Sequence, residues 1–283
     1  MRTLLFQLLL LLMLFACTGG DSSDKDDVET SDDPNTSPLT EGDWYRPATF
    51  VTWQWQLNNA VNTSYEVEIY DIDLFDSSVE LIQQLQATGI KVVCYFSAGS
   101  YEEWRPDANQ FTTSDLGSSL VDWPGERWLD IRTDNVSSIM KSRLDLAKEK
   151  GCDGVEPDNM DGYDNSSGFN LSATDQLAFN RLIANEAHLR DLSVGLKNDL
   201  DQINELESYF DFAVNEQCFE YTQCDKLSPF IDNGKPVLQA EYKQDYINDV
   251  SARNAMCSES LNMQFSTLVL PLYLDDAFRF SCL

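Results

Sequence analysis

The sequence predicts an α/β fold, a (β/α)8 barrel of the TIM type with one extra strand. Three observations predict it. Short apolar, β-branched runs recur along the chain, too short for helices and suited to strands buried on both faces. Helical patterns with their own caps and stops fill the gaps, and that alternation marks a parallel sheet. Polar residues gather where the runs end, which is where a barrel builds its sites. An open, doubly wound sheet is the alternative, but no GxGxxG follows the first run and there is no P-loop.

The chain starts well before the first run. Arg2 is followed by the apolar stretch Leu4 to Phe15, which ends in "LFAC". The stretch is too short to span a bilayer and reads as the apolar region of a signal peptide. "LFAC" resembles a bacterial lipobox, so residues 1–16 are expected to be a lipoprotein signal peptide and Cys17 the lipidated residue. The plainer alternative is an ordinary signal peptide that contains a cysteine. "TGGDSSDKDDVETSDDPNTSPLTEGD" is acidic and nearly free of large apolar residues. Such a stretch cannot bury enough surface to offset its ordering entropy. Residues 17–43 are therefore expected to be a disordered tether, and residues 44–283 a single barrel domain. The expected location is outside the cytoplasm, anchored by lipid to a bacterial membrane at the cell surface or in the periplasm.

Nine runs follow in order. They are Thr49–Leu57, Tyr65–Ile72, Ile90–Gly99, Arg127–Ile131 and Cys152–Asp158, then Leu192–Asn198, Phe210–Gln217, Pro236–Tyr242 and Met263–Leu270. Nine exceeds the eight of a barrel, so one run is expected to lie outside the ring. Helices are expected over Ser77–Gly89, with a serine cap and a glycine stop, and over Asn135–Gly151, with lysines in the last turn. Two more are expected over Ser172–Asp191 and Asp199–Phe210.

The run ends carry acids and amides. Gln56 ends the first, Asp71 and Asp73 the second, Ser97 the third and Asp130 the fourth. Asp158 ends the fifth, Lys197 and Asn198 the sixth, Asn215 and Glu216 the seventh, Glu241 and Tyr242 the eighth. A one-sided polar ring is costly to bury unless it meets a ligand or its members pair. Pro157 sharpens the geometry, because it keeps the residue before it extended. Glu156 and Asp158 then share one face, with Asp158 nearer the mouth and Glu156 a deeper support. Asp161 lies in the loop beyond. Two carboxyl groups facing each other from separate strands are what glycosidic hydrolysis needs, and Asp158 and Glu216 can supply them. Trp53, Trp55, Trp104, Trp123, Tyr163 and Tyr242 are candidates for stacking on sugar rings, with core packing as the commoner use of each.

Cysteine usage and charge narrow the partners. Cys218 and Cys224 enclose a short loop and are expected to pair, leaving Cys257 with Cys282 to tie down the C-terminus. Cys94 and Cys152, each in or beside an expected strand, read as free buried thiols, with their connectivity left open by the sequence. No CxxC or Cys/His cluster exists, and the single histidine, His188, sits mid-helix as a surface or packing residue. No metal or cofactor is expected; the oxygen-rich Asp153, Glu156, Asp158 and Asp161 are the one set suited to calcium, without EF-hand spacing. A formal net charge of −29 with no basic stripe disfavours nucleic acid and favours a cationic ligand. A monomer that meets the membrane only through its lipid is expected.

Seven segments carry a resemblance. In order they are "WQWQL", "YDIDLFD", "VVCYFSAGSYEEWRPD", "WLDI", "GCDGVEPDNMDGY", "GLKND" and "VNEQCFEYTQC". They resemble the endo-α-1,4-polygalactosaminidases, glycoside hydrolase family 114, over about Thr52 to Tyr242. The resemblance implies a (β/α)8 barrel that hydrolyses galactosamine-containing polysaccharide. Its two acids fall on Asp158 of "EPDN" and Glu216 of "NEQC", with Asp158 expected as nucleophile and Glu216 as general acid/base of a retaining reaction. Its polymer is cationic, and Asp71, Asp73, Asp161 and Glu241 would attract the ammonium groups. A surface lipoprotein that binds polysaccharide without cutting it is the rival reading.

Overall fold

A computed structural model describes residues 36–283. Eight strands run parallel in one curled sheet: β1 (Trp53–Gln56), β2 (Ile69–Asp73), β3 (Lys91–Ser97), β7 (Gly154–Asp158), β8 (Ser193–Lys197), β9 (Phe212–Glu216), β10 (Val237–Glu241) and β11 (Ser266–Val269). A short β12 (Phe280–Ser281) adds antiparallel to β11. The ladder stops at β1 and β11, and side chains bridge the seam. The Trp53 indole N–H donates to Ser266 O at 2.7 Å, and Arg279 donates to Trp53 O at 2.8 Å. The expected barrel class is thus present.

The surplus strand is the fourth run. Arg127–Ile131 does not join the barrel. Its core forms β6 (Glu126–Leu129), which lies between β4 (Ser100–Glu102) and β5 (Leu116–Ser119) in a small antiparallel side sheet. Asp130 leaves the barrel with it.

Strand alternation sorts the core into two layers. Residues such as Ile72, Cys94, Phe96, Val155 and Leu196 face outward and pack under the helices. Trp53, Ile69, Val93, Phe212, Leu238 and Leu268 face inward and fill the lower barrel. The inward positions nearer the C-terminal ends are polar instead: Asp71, Asp73, Glu156, Lys197 and Glu216. Apolar filling below and polar groups above give the barrel one open, reactive end.

Helices form where caps start and stop them. The α1 helix (Val79–Gln86) begins at Ser78, whose side chain accepts from Leu81 N, and buries Ile82 and Leu85. Leu85→Ala is expected to cost about 2–5 kcal/mol. The α2 helix (Asp134–Lys150) starts at Thr133 and ends at Gly151, whose φ of 86° suits glycine. A capping box from Ser172 and Asp175 opens α3 (Ala173–His188). The helix expected over Asp199–Phe210 is shorter, a single turn at Ile203–Leu206 and a 3-10 turn at Glu207–Tyr209, because Asn198 and Asp199 take positive φ in the preceding loop.

Among the described residues there are three disulfides. Cys218 pairs with Cys224, and Cys257 with Cys282. Cys94 and Cys152 are not free thiols but form the third. The neighbouring register of β3 and β7 brings them together across 58 residues of sequence.

The signal peptide, Cys17 and tether residues 17–35 lie outside the described residues. Residues 36–43, expected as the end of the tether, lie against the barrel. Asn185 on α3 accepts from Leu39 N and donates to Ser37 O, and Tyr209 donates to Thr36 O. Trp44 then stacks on His188 at 4.1 Å and donates to Asp211. His188 is buried by this packing. Among the described residues no helix is long and apolar enough to cross a membrane.

Candidate active site

The C-terminal ends of the strands open into a cleft of about 770 Å³. Lys197, at the end of β8, stands in its floor with its side chain only 3% exposed. Its ammonium lies 2.8 Å from Asp158 Oδ1, 3.0 Å from Glu216 Oε2 and 3.6 Å from Glu156 Oε1. β7 and β9 flank β8, so the two acids approach one cation from either side. Burial favours the neutral amine, but Asp158, Glu216 and Glu156 outweigh it and hold the Lys197 pKa well above its usual value.

Each acid is held by a separate set of donors. Asp158 Oδ2 accepts from the Tyr95 hydroxyl at 2.9 Å, and Oδ1 from Asn159 N at 2.7 Å. Burial pushes the Asp158 carboxyl up, yet Lys197 and these hydrogen bonds prevail and leave its pKa below the ordinary value. Glu216 Oε1 accepts from the Tyr242 hydroxyl at 2.6 Å, and Oε2 from Asn198 Nδ2 at 3.3 Å. Asn198 in turn accepts from Glu216 N and from Asn215 Nδ2, which fixes the strand end. Carboxylate side-chain exposure is 18% at Asp158 and 25% at Glu216, so both reach the cleft.

Beneath them lies a second acid pair. Asp71 and Glu156 are fully buried and in mutual hydrogen-bond contact. No other protein donor reaches any of their four carboxyl oxygens. Two carboxylates cannot satisfy each other, so at least one is protonated and donates. Burial, opposed by the hydrogen bond to Glu156 and by Lys197, raises Asp71 to about 8, and burial together with Asp71 raises Glu156.

The other expected site residues divide into three groups. Asp73, Asp161 and Asn198 line the cleft with the two acids and Lys197. Asp73 is gripped by Arg105 at 2.7 and 3.0 Å, a cation that it shares with Glu102. Burial and the nearby Asp158 raise Asp161 to about 6. Asp71, Ser97, Glu156 and Tyr242 support the cleft from below; Ser97 Oγ accepts from Asn159 Nδ2 at 2.9 Å. Gln56, Glu241 and Asp130 serve elsewhere. Gln56 ties down the loop at Asn58, Ala60 and Asn62, and Glu241 accepts from Phe219 N and Gln239. Asp130 pairs with Arg132 outside the cleft.

Sequence reasoning missed Tyr95, Arg105, Glu102, Glu126, Trp128 and Tyr273, all of which line the cleft. Alternation from Ser97 would have found Tyr95, two places earlier on β3. Trp55, Trp104 and Trp123 also reach the cleft, whereas Trp53 fills the barrel. The calcium set does not converge: Asp153 lies just before β7 and pairs with Lys91, and among the described residues no three potential ligands gather.

Two strand-end carboxyls meet across an open cleft, and the sequence profile of glycoside-hydrolase family GH114 matches residues 34–283. The chain belongs to glycoside-hydrolase family GH114. A GH114 enzyme is a glycoside hydrolase, and solved structures share the fold. Ega3 of Aspergillus fumigatus, solved in complex with galactosamine, is 45% identical, with a TM-score of 0.82 over 87% of this chain and 100% of that one. The glycoside hydrolase domain of PelA from Pseudomonas aeruginosa shares the fold at 11% identity, with a TM-score of 0.64 over 81% of this chain and 98% of that one. Curated protein sequences gave no match.

Proposed function

We propose that this GH114 enzyme cuts α-1,4-linked, galactosamine-rich polysaccharide internally and with retention of configuration. The observation that carries the reading is the shared contact of Asp158 and Glu216 with Lys197. Neither oxygen is farther than 3.0 Å from that nitrogen, so these two oxygens are at most about 6 Å apart, short of the 6.5–9.5 Å that inverting enzymes keep between their carboxyl groups.

We assign Asp158, the more buried acid and the nearer to Lys197, as nucleophile, and the more exposed Glu216 as general acid/base. Asp158 stays ionised and attacks the anomeric carbon. Glu216 gives its proton to the departing glycosidic oxygen as that bond breaks. Glu216 then takes a proton from water, whose oxygen displaces Asp158 and restores both acids. Lys197 keeps Asp158 anionic before attack, and Tyr242 and Asn198 keep Glu216 aimed. Asp73, Asp161 and Asn198 contact the sugar directly. The cleft carries more carboxylates than cations, which suits a polymer of ammonium groups, and Ega3, 45% identical, was solved with galactosamine bound.

Export and lipid anchoring through Cys17 are part of the same proposal. Three disulfides in one domain fit an oxidising compartment. The enzyme acts as a monomer held near the membrane by its tether.

The test incubates partly deacetylated polygalactosamine with residues 36–283, with Asp158→Asn and with Glu216→Gln. The native protein should shorten the polymer to mixed oligomers, and each variant should lose at least ~10³-fold in rate. A native protein that binds the polymer without shortening it would leave the polysaccharide-binding reading in its place.

A further inference from the structure

Most carboxylates that line the cleft already face a cation. Asp73 and Glu102 grip Arg105, while Asp158 and Glu216 grip Lys197. Glu126 on β6 differs. The residue is 9% exposed, and its Oε2 accepts only from the Ser100 hydroxyl at 2.8 Å. No cation lies within ion-pair distance among the described residues, and the side chain borders the cleft. A carboxylate in that position is costly without a positive partner.

Aromatic side chains line the same cleft. Glu126 N donates to Trp123 O, and the turn between them packs against Trp104. Trp104 is 53% exposed and Trp123 40%, and Trp123 meets Tyr273 edge-on at 6.4 Å at the cleft mouth. A polar chain connects this wall to the reacting centre. Asn159 Nδ2 donates to Ser100 Oγ at 3.2 Å, and Asn159 N donates to Asp158.

We propose that Glu126, Trp104 and Trp123 form a subsite for one amino-sugar ring beside the bond that is cut. The ring stacks on indole, and its free ammonium pairs with Glu126; an N-acetylated ring gains the stacking but not the ion pair. This subsite rests on the amino-sugar reading given above. Burial, offset by Ser100 and reinforced by Glu102 and Asp158, raises Glu126 to about 7, with Arg105 opposing from a distance. An arriving ammonium therefore binds better as pH rises through that value and the carboxyl ionises.

The test compares native protein with Glu126→Gln on fully deacetylated galactosamine oligomers and on their N-acetylated counterparts, on either side of about pH 7. For deacetylated oligomers KM should rise about tenfold, with kcat within about twofold. The N-acetylated oligomers should show no such rise. On deacetylated oligomers the ratio of variant KM to native KM should grow as pH rises towards about 7 and Glu126 ionises, whereas titration of the amine alone would only shrink it. Trp104→Ala should raise KM for both sets. An unchanged KM for deacetylated oligomers in Glu126→Gln, or an equal loss on both sets, overturns the subsite while leaving the enzyme's activity intact. Failure of the native protein to cut any galactosamine oligomer removes the substrate reading and the subsite together.

Discussion

Lys197 Nζ sits 2.8 Å from Asp158 Oδ1, with the lysine side chain only 3% exposed. Removing that charge leaves acids on three sides without a counter-ion. Lys197→Met is predicted to destabilise the domain by about 3–5 kcal/mol, as broken buried pairs do. It should also lower kcat at least ~10²-fold, because Asp158 would take up a proton and lose its nucleophilic form. Denaturant unfolding and steady-state kinetics check the two halves separately.

Tyr242 donates to Glu216 Oε1 at 2.6 Å. Tyr242→Phe keeps the ring that packs in the barrel and deletes that bond. A loss of about tenfold in kcat is predicted, with stability within about 1.5 kcal/mol of native. Equal kcat in the two proteins would show that Glu216 is aimed without the hydroxyl.

Asp71 gives a pH signature in stability. Its carboxyl is raised to about 8 in the folded protein, against about 3.9 in an unfolded chain. A raised carboxyl contributes fully below the unfolded value, and that contribution is lost as pH rises through the folded one. The melting temperature of the native domain should therefore fall between about pH 4 and pH 8, by about 2–4 °C per kcal/mol in a domain of this size. Asp71→Asn cannot ionise, so its fall should be shallower, provided the new amide still donates to Glu156. Parallel curves for the two proteins would contradict a shared proton.

The Cys94–Cys152 bond closes 58 residues of chain. On the chain-entropy view its loss costs about 4 kcal/mol. The double variant Cys94→Ala, Cys152→Ala should unfold at correspondingly lower denaturant while keeping its activity, since neither sulfur reaches the cleft. Chemical denaturation followed by fluorescence measures this.

Much of the site is legible in the sequence because barrels confine it to one place. Asp158 and Glu216 stand out as acids at the ends of apolar runs, and the structure brings them to a single lysine. What escapes depends on partners distant in sequence. "RWLDI" is apolar enough for a barrel strand, and nothing local says that it pairs with β4 and β5 instead. Asp130 follows that misplacement out of the cleft, and Glu126 and Trp128 go unnoticed on the same strand. Cys94 and Cys152 read as thiols because their contact exists only once β3 and β7 are neighbours. Lys197 reads as a substrate contact; three carboxyls already surround it, a fact of tertiary geometry alone.

The central claim is that Asp158 attacks the anomeric carbon to form a covalent intermediate while Glu216, across the same lysine, moves the proton. Proton NMR of the first product formed from an α-1,4-galactosamine oligomer tests it most directly, before the sugar mutarotates. The account predicts that the new reducing end appears first as the α anomer. A β anomer at the earliest times would mean that water, rather than Asp158, attacks the anomeric carbon, and would contradict it.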